Sequence, residues 1–293
     1  MKILKHTFFT LILFSLILSF NTNIYAAENI FKSSKSEINA TTMQDGYITI
    51  KYLNETTKKL KVIIQKDKQK YTYDLNNLGN YDSYPLQMGN GTYKITVYEN
   101  ISGTKYSTKQ SVTINVKLND ENSPFLVPNQ LVNYSSTNET VKKAAELTKD
   151  KIADIDKVDA IYDYVISNIS YDNPKAKEVK SGYLPVIDEI LKSKKGICFD
   201  YSSVMAAMLR SQGIPVKLVT GYSSNLSAFH AWNEIYTDET GWIKLNEMYF
   251  DGQNWKLMDS TIASTAKQSK SPRVIEYTNK LIDSKNYTKQ FEY

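Results

Sequence analysis

The stretch Lys194–Arg210, KKGICFDYSSVMAAMLR, holds the only cysteine among 293 residues, and its reading decides the fold of the second half of the chain. Gly196 supplies a point where the backbone can bend or be approached closely. Behind it Ile197, Val204, Ala207 and Met208 recur at helical spacing and predict an amphipathic helix. Cys198 then falls in the first turn. There unpaired backbone N–H groups and the positive end of the helix dipole favour a thiolate, the reactive form of cysteine. The competing reading is a small, inert, buried apolar residue.

What precedes this stretch bears on that choice. Residues 1–27 have the form of a secretory signal peptide: Lys2, Lys5 and His6, the apolar run Phe8 to Phe20, then Ala26 and Ala27. The run is too short for a comfortable membrane span of about 20 residues, and no later stretch approaches one, so a secreted or extracellular protein without a stable span after cleavage is expected. Cell-surface association stays open. A single cysteine forms no intramolecular disulfide, so an unpaired thiol on an exported chain needs another reason to exist, and reactivity is one. Removing Lys2 and Lys5 takes the formal charge from +5 to +3. That balance, with lysines scattered among acids, leaves no footprint for nucleic acid.

The half before the cysteine reads differently. After a polar leader, Glu28 to Thr42, expected to be mobile, short alternating runs predict strands at Tyr47–Leu53, Lys61–Gln65, Lys70–Leu75, Tyr84–Met88, Thr92–Glu99 and Thr108–Leu118. Asn90-Gly91 reads as a hairpin turn between two of them. No helical run interrupts residues 28–118, which predicts a small all-β, immunoglobulin-like sandwich. It carries neither His nor Cys, and its acids are not grouped as calcium ligands. A binding or spacing module and a rigid stalk fit it equally.

Residues 119–136 read as a linker because Pro124 and Pro128 cannot continue a strand ladder. In 137–293 the period changes. Val141, Ala144, Ala145 and Thr148, then Val158, Ile161, Tyr162, Val165 and Ile169, predict two helices capped near Asn138 and Asp156. A polar loop at Tyr171–Pro185 and a short helix at Ile187–Leu191 lead to the cysteine helix, which Gly213 and Pro215 end. Strands are expected at Val216–Tyr222, His230–Tyr236, Trp242–Asn246 and Trp255–Met258, an α+β order with helices first and an antiparallel sheet after. The tail from Pro272 either adds a strand at Tyr287–Tyr293 or covers the cleft.

Of two histidines, His6 leaves with the leader, so His230 is the one imidazole available to take a proton from Cys198 and return it to a leaving group. An imidazole needs an acceptor on its other nitrogen. Asp259 is the best candidate, with Asp251 and Asp238 as rivals that look like turn residues. A zinc site is the competing chemistry, but structural zinc draws four ligands, mainly Cys and His, and only two such residues remain; no metal or cofactor is expected. No calcium requirement is expected either.

GICFDYSSVMAAMLRSQGIPVKLVTGY (196–222), followed by HAW (230–232) and WKLMDST (255–261), resembles the transglutaminase-like cysteine superfamily, particularly its secreted bacterial members, from Thr137 onward. The resemblance implies a papain-like or transglutaminase-like core with Cys198, His230 and Asp259 as catalytic residues. The segment GWIKLNEMYFDGQNW (241–255) is longer than the family's tight hairpin, which makes Asp259 the least secure of the three. It implies acyl transfer or hydrolysis on an extracellular protein or peptide amide through a thioester, with the second oxyanion donor expected from Tyr171 or Tyr183 and Trp232 either walling the site or filling the core. The alternative is a non-catalytic adhesion or wall-binding protein that keeps the fold.

Overall fold

Alternation dictates the first half of the molecule. In the strand Tyr47–Tyr52 the side chains of Ile48, Ile50 and Tyr52 are buried and those between them are not, as a pleated strand with one face on a core requires. The computed structural model describes residues 29–224, 226, 229–243, 249–250, 255–256, 259–269 and 287–293. The expected signal peptide, Asp251 and the expected strand ends at Asn246 and Met258 lie outside the described residues.

Eight strands come first: β1 (Ile30–Lys32), β2 (Ser36–Asn39), β3 (Tyr47–Tyr52), β4 (Leu60–Lys66), β5 (Gln69–Leu75), β6 (Asp82–Pro85), β7 (Gly91–Ser102) and β8 (Lys105–Val116). They form two antiparallel sheets ordered β1-β2-β3-β6 and β5-β4-β7-β8, whose inner faces share one core of aliphatic and tyrosine side chains. Two sequence expectations fail here. The leader is ordered as β1 and β2, because Ile38 and Ala40 are wholly buried in that core. Asn90-Gly91 is not a hairpin turn, because β6 pairs with β3 while β7 pairs with β4 and β8. Asn90 instead accepts a hydrogen bond from the Leu118 N–H at 2.7 Å, tying the entry of β7 to the exit of β8.

The second half comprises α1 (Glu139–Thr148), α2 (Asp154–Asn168), β9 (Ser170–Tyr171), α3 (Asn173–Glu178), α4 (Ile187–Ser193), β10 (Lys195–Gly196), α5 (Cys198–Arg210), β11 (Val216–Ser223), β12 (His230–Thr237), β13 (Gly241–Ile243), β14 (Tyr249–Phe250), β15 (Trp255–Lys256), α6 (Ser260–Ser269) and β16 (Tyr287–Glu292). It is a mixed fold of helices on an antiparallel sheet ordered β13-β12-β11-β16. The polar loop expected after Tyr171 contains α3, started by the Asp172 side chain on the Lys175 N–H. The helix α6 was not legible as such. The α1 cap is more elaborate than expected: Asp188 of α4 accepts from Asn138, the Glu139 N–H, and the Thr140 N–H and hydroxyl.

The helix α5 is not amphipathic. Every residue from Asp200 to Arg210 is buried, because α1, α2, α4 and α6 surround it and β11 and β12 lie beneath it. Arg210, at its end, is 3% exposed. Its guanidinium donates to the carbonyls of Val216 and Val127 and to the main-chain oxygen of Tyr293, which fastens the linker, β11 and the last strand to one point. Burial pulls its pKa down to about 10, so it stays charged at neutral pH. The rings of Phe291 and Tyr293 pack against Tyr71 of β5 at 5.5 and 5.4 Å, so β16 touches both cores.

Candidate active site

Gly196 fixes how α5 begins. A Cβ there would lie 2.7 Å from Cβ of Asp200, too close for any side chain, so only glycine lets Asp200 fold back over the helix start. Asp200 is wholly buried and accepts from the Ile197 N–H at 2.9 Å, from Lys175 at 2.6 Å and from the Tyr183 hydroxyl at 2.6 Å. A buried carboxylate so near a thiol would oppose thiolate formation. Lys175 offsets that charge, and its ammonium also lies 4.4 Å from the Tyr183 ring centre. This cluster had no sequence signal beyond the residue types. Lys175 and Tyr183 also line an open groove of about 730 Å³ with Asp172, Val179 and Lys180.

Cys198 is the first residue of α5 and is partly exposed. His230 opens β12 and is 5% exposed. Asp259, wholly buried, stands immediately before α6. The structure brings all three together. His230 Nε2 lies 2.6 Å from Asp259 Oδ2, and the Cys198 side chain lies near enough to the imidazole to favour its charged form. Because Nε2 is committed to the carboxylate, Nδ1 is the nitrogen left for sulfur. Asp238, exposed in the turn after β12, has no part in this arrangement.

Asp259 does two jobs. Its Oδ1 accepts from the Thr261 and Ile262 N–H groups at 3.1 Å each, capping α6, and its Oδ2 takes the imidazole. The cap fixes the rotation of the carboxylate and points the positive end of the α6 dipole at it. The electrostatics of His230 follow. Burial works against the imidazolium, but the charge and hydrogen bond of Asp259, helped by Cys198, overcome it and push the pKa up to about 10. An imidazole held this way can accept a proton from the thiol and keep it through the neutral range.

Trp232 is 1% exposed and belongs to a small core with Val219 and Ile262, yet its ring also stacks on His230 at 6.1 Å. It therefore both fills the core and walls the imidazole. The two tyrosines separate. The Tyr183 hydroxyl is spent, receiving from Lys175 at 2.7 Å and donating to Asp200. Tyr171, paired through β9 with Gly196, is 37% exposed, and burial together with the charges of Cys198 and Asp200 raises its pKa. Another cavity, of about 410 Å³, lies between the two halves, and none of the three converging side chains lines it. Among the described residues no group of three His, Cys, Asp or Glu side chains is arranged to hold a metal, and no helix is long and apolar enough to cross a membrane.

A thiol at a helix start, an imidazole on a strand and a buried carboxylate, on helices packed against an antiparallel sheet, define a class, and sequence comparison gives it a name. Residues 141–247 match the transglutaminase-like superfamily. It is 34% identical over 117 residues to protein YebA of Bacillus subtilis, covering 34% of this chain and 16% of that protein. Over 76 residues it is 32% identical to a protein-glutamine gamma-glutamyltransferase of Pseudomonas aeruginosa, covering 22% and 11%. Over 146 residues it is 28% identical to the kyphoscoliosis peptidase of Mus musculus, covering 46% and 19%. The chain thus spans less than a fifth of the length of each of these relatives. Among solved structures, a candidate cysteine protease from Cytophaga hutchinsonii aligns over 82% of this chain and 73% of its own at 16% identity and a TM-score of 0.41. Red sea bream transglutaminase aligns over 73% and 49% at 14% identity and a TM-score of 0.31.

Proposed function

We propose that the chain is an exported thiol enzyme that acts on amide bonds of extracellular proteins or peptides through a thioester on Cys198, with His230 as acid and base and Asp259 as its orienting partner. The observation that carries this reading is the imidazole shared between a capped, buried carboxylate and the only thiol of the chain. Residues 1–27 direct export, 28–118 form an immunoglobulin-like spacing or binding module, 119–136 join it to the rest, and 137–293 carry the chemistry at or near the cell surface.

Cys198 gives its proton to His230 and the thiolate attacks the amide carbonyl carbon, forming a C–S bond and an oxyanion. The backbone N–H of Cys198 and the Tyr171 hydroxyl hold that oxyanion, a service each worth about 10²–10³ in rate. The oxyanion collapses, the C–N bond breaks, and the imidazolium protonates the departing amine. Water or a second amine, deprotonated by His230, then attacks the thioester and releases the thiol. An incoming lysine amine leaves an isopeptide; water leaves a carboxylate.

Alkylation by iodoacetamide at pH 6 tests the pair. The wild-type thiol is expected to react at least about 10-fold faster than that of His230→Ala, because only the imidazole keeps sulfur ionised there. Equal, slow labelling of both would sink the enzymatic reading and favour a non-catalytic surface protein. Incubation with casein and a labelled primary amine separates the outcomes: incorporation lost in Cys198→Ala means transamidation, and fragments without incorporation mean hydrolysis.

A further inference from the structure

The last strand brings one more side chain to this site from far along the chain. Tyr287 opens β16 opposite Ser223 of β11. Its hydroxyl lies 3.5 Å from Asp259 Oδ2, the same oxygen that holds His230. Its ring stands edge-on to Trp232 at 5.2 Å and tilted against His230 at 6.1 Å. Tyr287 and Trp232 thus flank the imidazole, and the phenol covers the carboxylate oxygen on which its orientation depends.

The strand is held in place by independent contacts. A Cβ on Gly221 would fall 2.1 Å from the Thr288 carbonyl oxygen, so only glycine admits β16 at this distance. Lys289 pairs with the buried Glu234 at 2.5 Å, and Glu292 with Lys217 at 3.0 Å. Farther along, Phe291 and Tyr293 rest on the sandwich. The groups that meet the Asp259–His230 pair are Cys198 from α5, the buried Tyr162 hydroxyl from α2, the two capping N–H groups of α6 and Tyr287 from β16. Glu234 and Lys289 lie next along the same sheet and neutralise one another.

We propose that Tyr287 is a positioning residue for the Asp259–His230 pair: its ring keeps water from the shared carboxylate oxygen. This rests on the proposed thiol chemistry for its purpose, though not for its test. Without the ring, water screens Asp259, and the imidazolium loses more by that screening than it gains from its own hydration. Without the hydroxyl alone, the shield stays.

The test is the titration of the His230 imidazole, followed by NMR in histidine-labelled protein and assigned with His230→Ala. In Tyr287→Ala the midpoint is expected to fall from about 10 by at least about one pH unit, and kcat on an amide substrate by about 10-fold or more with KM little changed. Tyr287→Phe is expected to keep the midpoint within about half a unit. Phe291→Ala, which trims the same strand where it meets the sandwich, is expected to lower Tm and leave the midpoint alone. Should Tyr287→Ala not fold, Tyr287→Thr, a residue suited to strands, carries the same expectation. A fall below one unit without the ring, or an equal fall in Phe291→Ala, overturns the proposal. The titration needs no substrate, so a wild-type protein without amide chemistry would count against the proposed function and leave Tyr287 to be judged on its own.

Discussion

Each half of the molecule buries a carboxylate beside a tyrosine, and the two are put to different use. In the sandwich, Glu99 receives the Tyr52 hydroxyl, Lys58 at 3.0 Å and Lys109 at 3.4 Å. In the second half, Asp259 receives two helix N–H groups, the imidazole and the more distant Tyr287 hydroxyl. The Tyr52 hydrogen bond, with the lysines, lowers Glu99 to a pKa of about 2, and every partner it has is fixed in charge at neutral pH. Asp259 spends its charge on a neighbour that titrates and that touches a thiol. A buried carboxylate is a strut when its partners cannot change protonation, and a part of a reaction when one of them can.

The largest expected break in this comparison comes from Asp259→Asn. The amide still caps α6, but the imidazolium loses its anion, so Tm should fall at neutral pH and kcat by about 10²–10⁴-fold. The pH dependence should change with it. In the wild type His230 is raised from 6.5 to about 10, so its contribution to stability is complete below the ordinary value and is lost as pH rises through about 10. In the variant only Cys198 still opposes burial, and both that loss and the alkaline limit of activity move toward neutrality. Urea unfolding and rate profiles over pH 5 to 11 would show it; an unmoved alkaline limit would mean that Asp259 is only a cap.

A smaller effect is expected from Gly196→Ala. The added methyl meets Asp200, which must leave the Ile197 N–H or Lys175, at a cost of about 1–3 kcal/mol in urea unfolding and with slower thiol alkylation. Full stability and an unchanged alkylation rate would show that the Asp200 cluster does not set the start of α5. The smallest effect on chemistry should come from Glu99→Gln. Because the folded pKa of Glu99 is depressed, its contribution is present above the ordinary carboxylate value of 4.5 and is lost as pH falls through about 2. The variant should be less stable at pH 6 and should lose less on acidification, while iodoacetamide labels Cys198 as fast as before. A change in that rate would couple the two halves more closely than their chemistry suggests.

Local pattern carried most of the strands, since alternation survives in any pleated half-buried sheet; β3, β4 and β5 lie within a residue of expectation. Where pattern failed, tertiary pairing had overridden it. Ser36–Asn39 looked too polar to be ordered, and Asn90-Gly91 had turn chemistry without hairpin partners. Cys198 and His230 were legible because the chain has one cysteine and two histidines, whereas Asp259 is one of 31 acidic residues and was marked out by its place after the strand expected at Trp255–Met258. Asp259 is a cap as well as a partner, since α6 starts directly after it.

By itself, then, the sequence determined the two kinds of structure, the start of α5 at Cys198 and the one imidazole able to serve it, because these depend on residue type and short-range spacing. Only the tertiary structure decided that α5 is buried on all sides, that Lys175 and Tyr183 occupy Asp200, and that Tyr287 returns to cover His230. The last of these joins residues 57 positions apart. No local periodicity encodes a distance of that kind; it is set by how the sheet and helices pack.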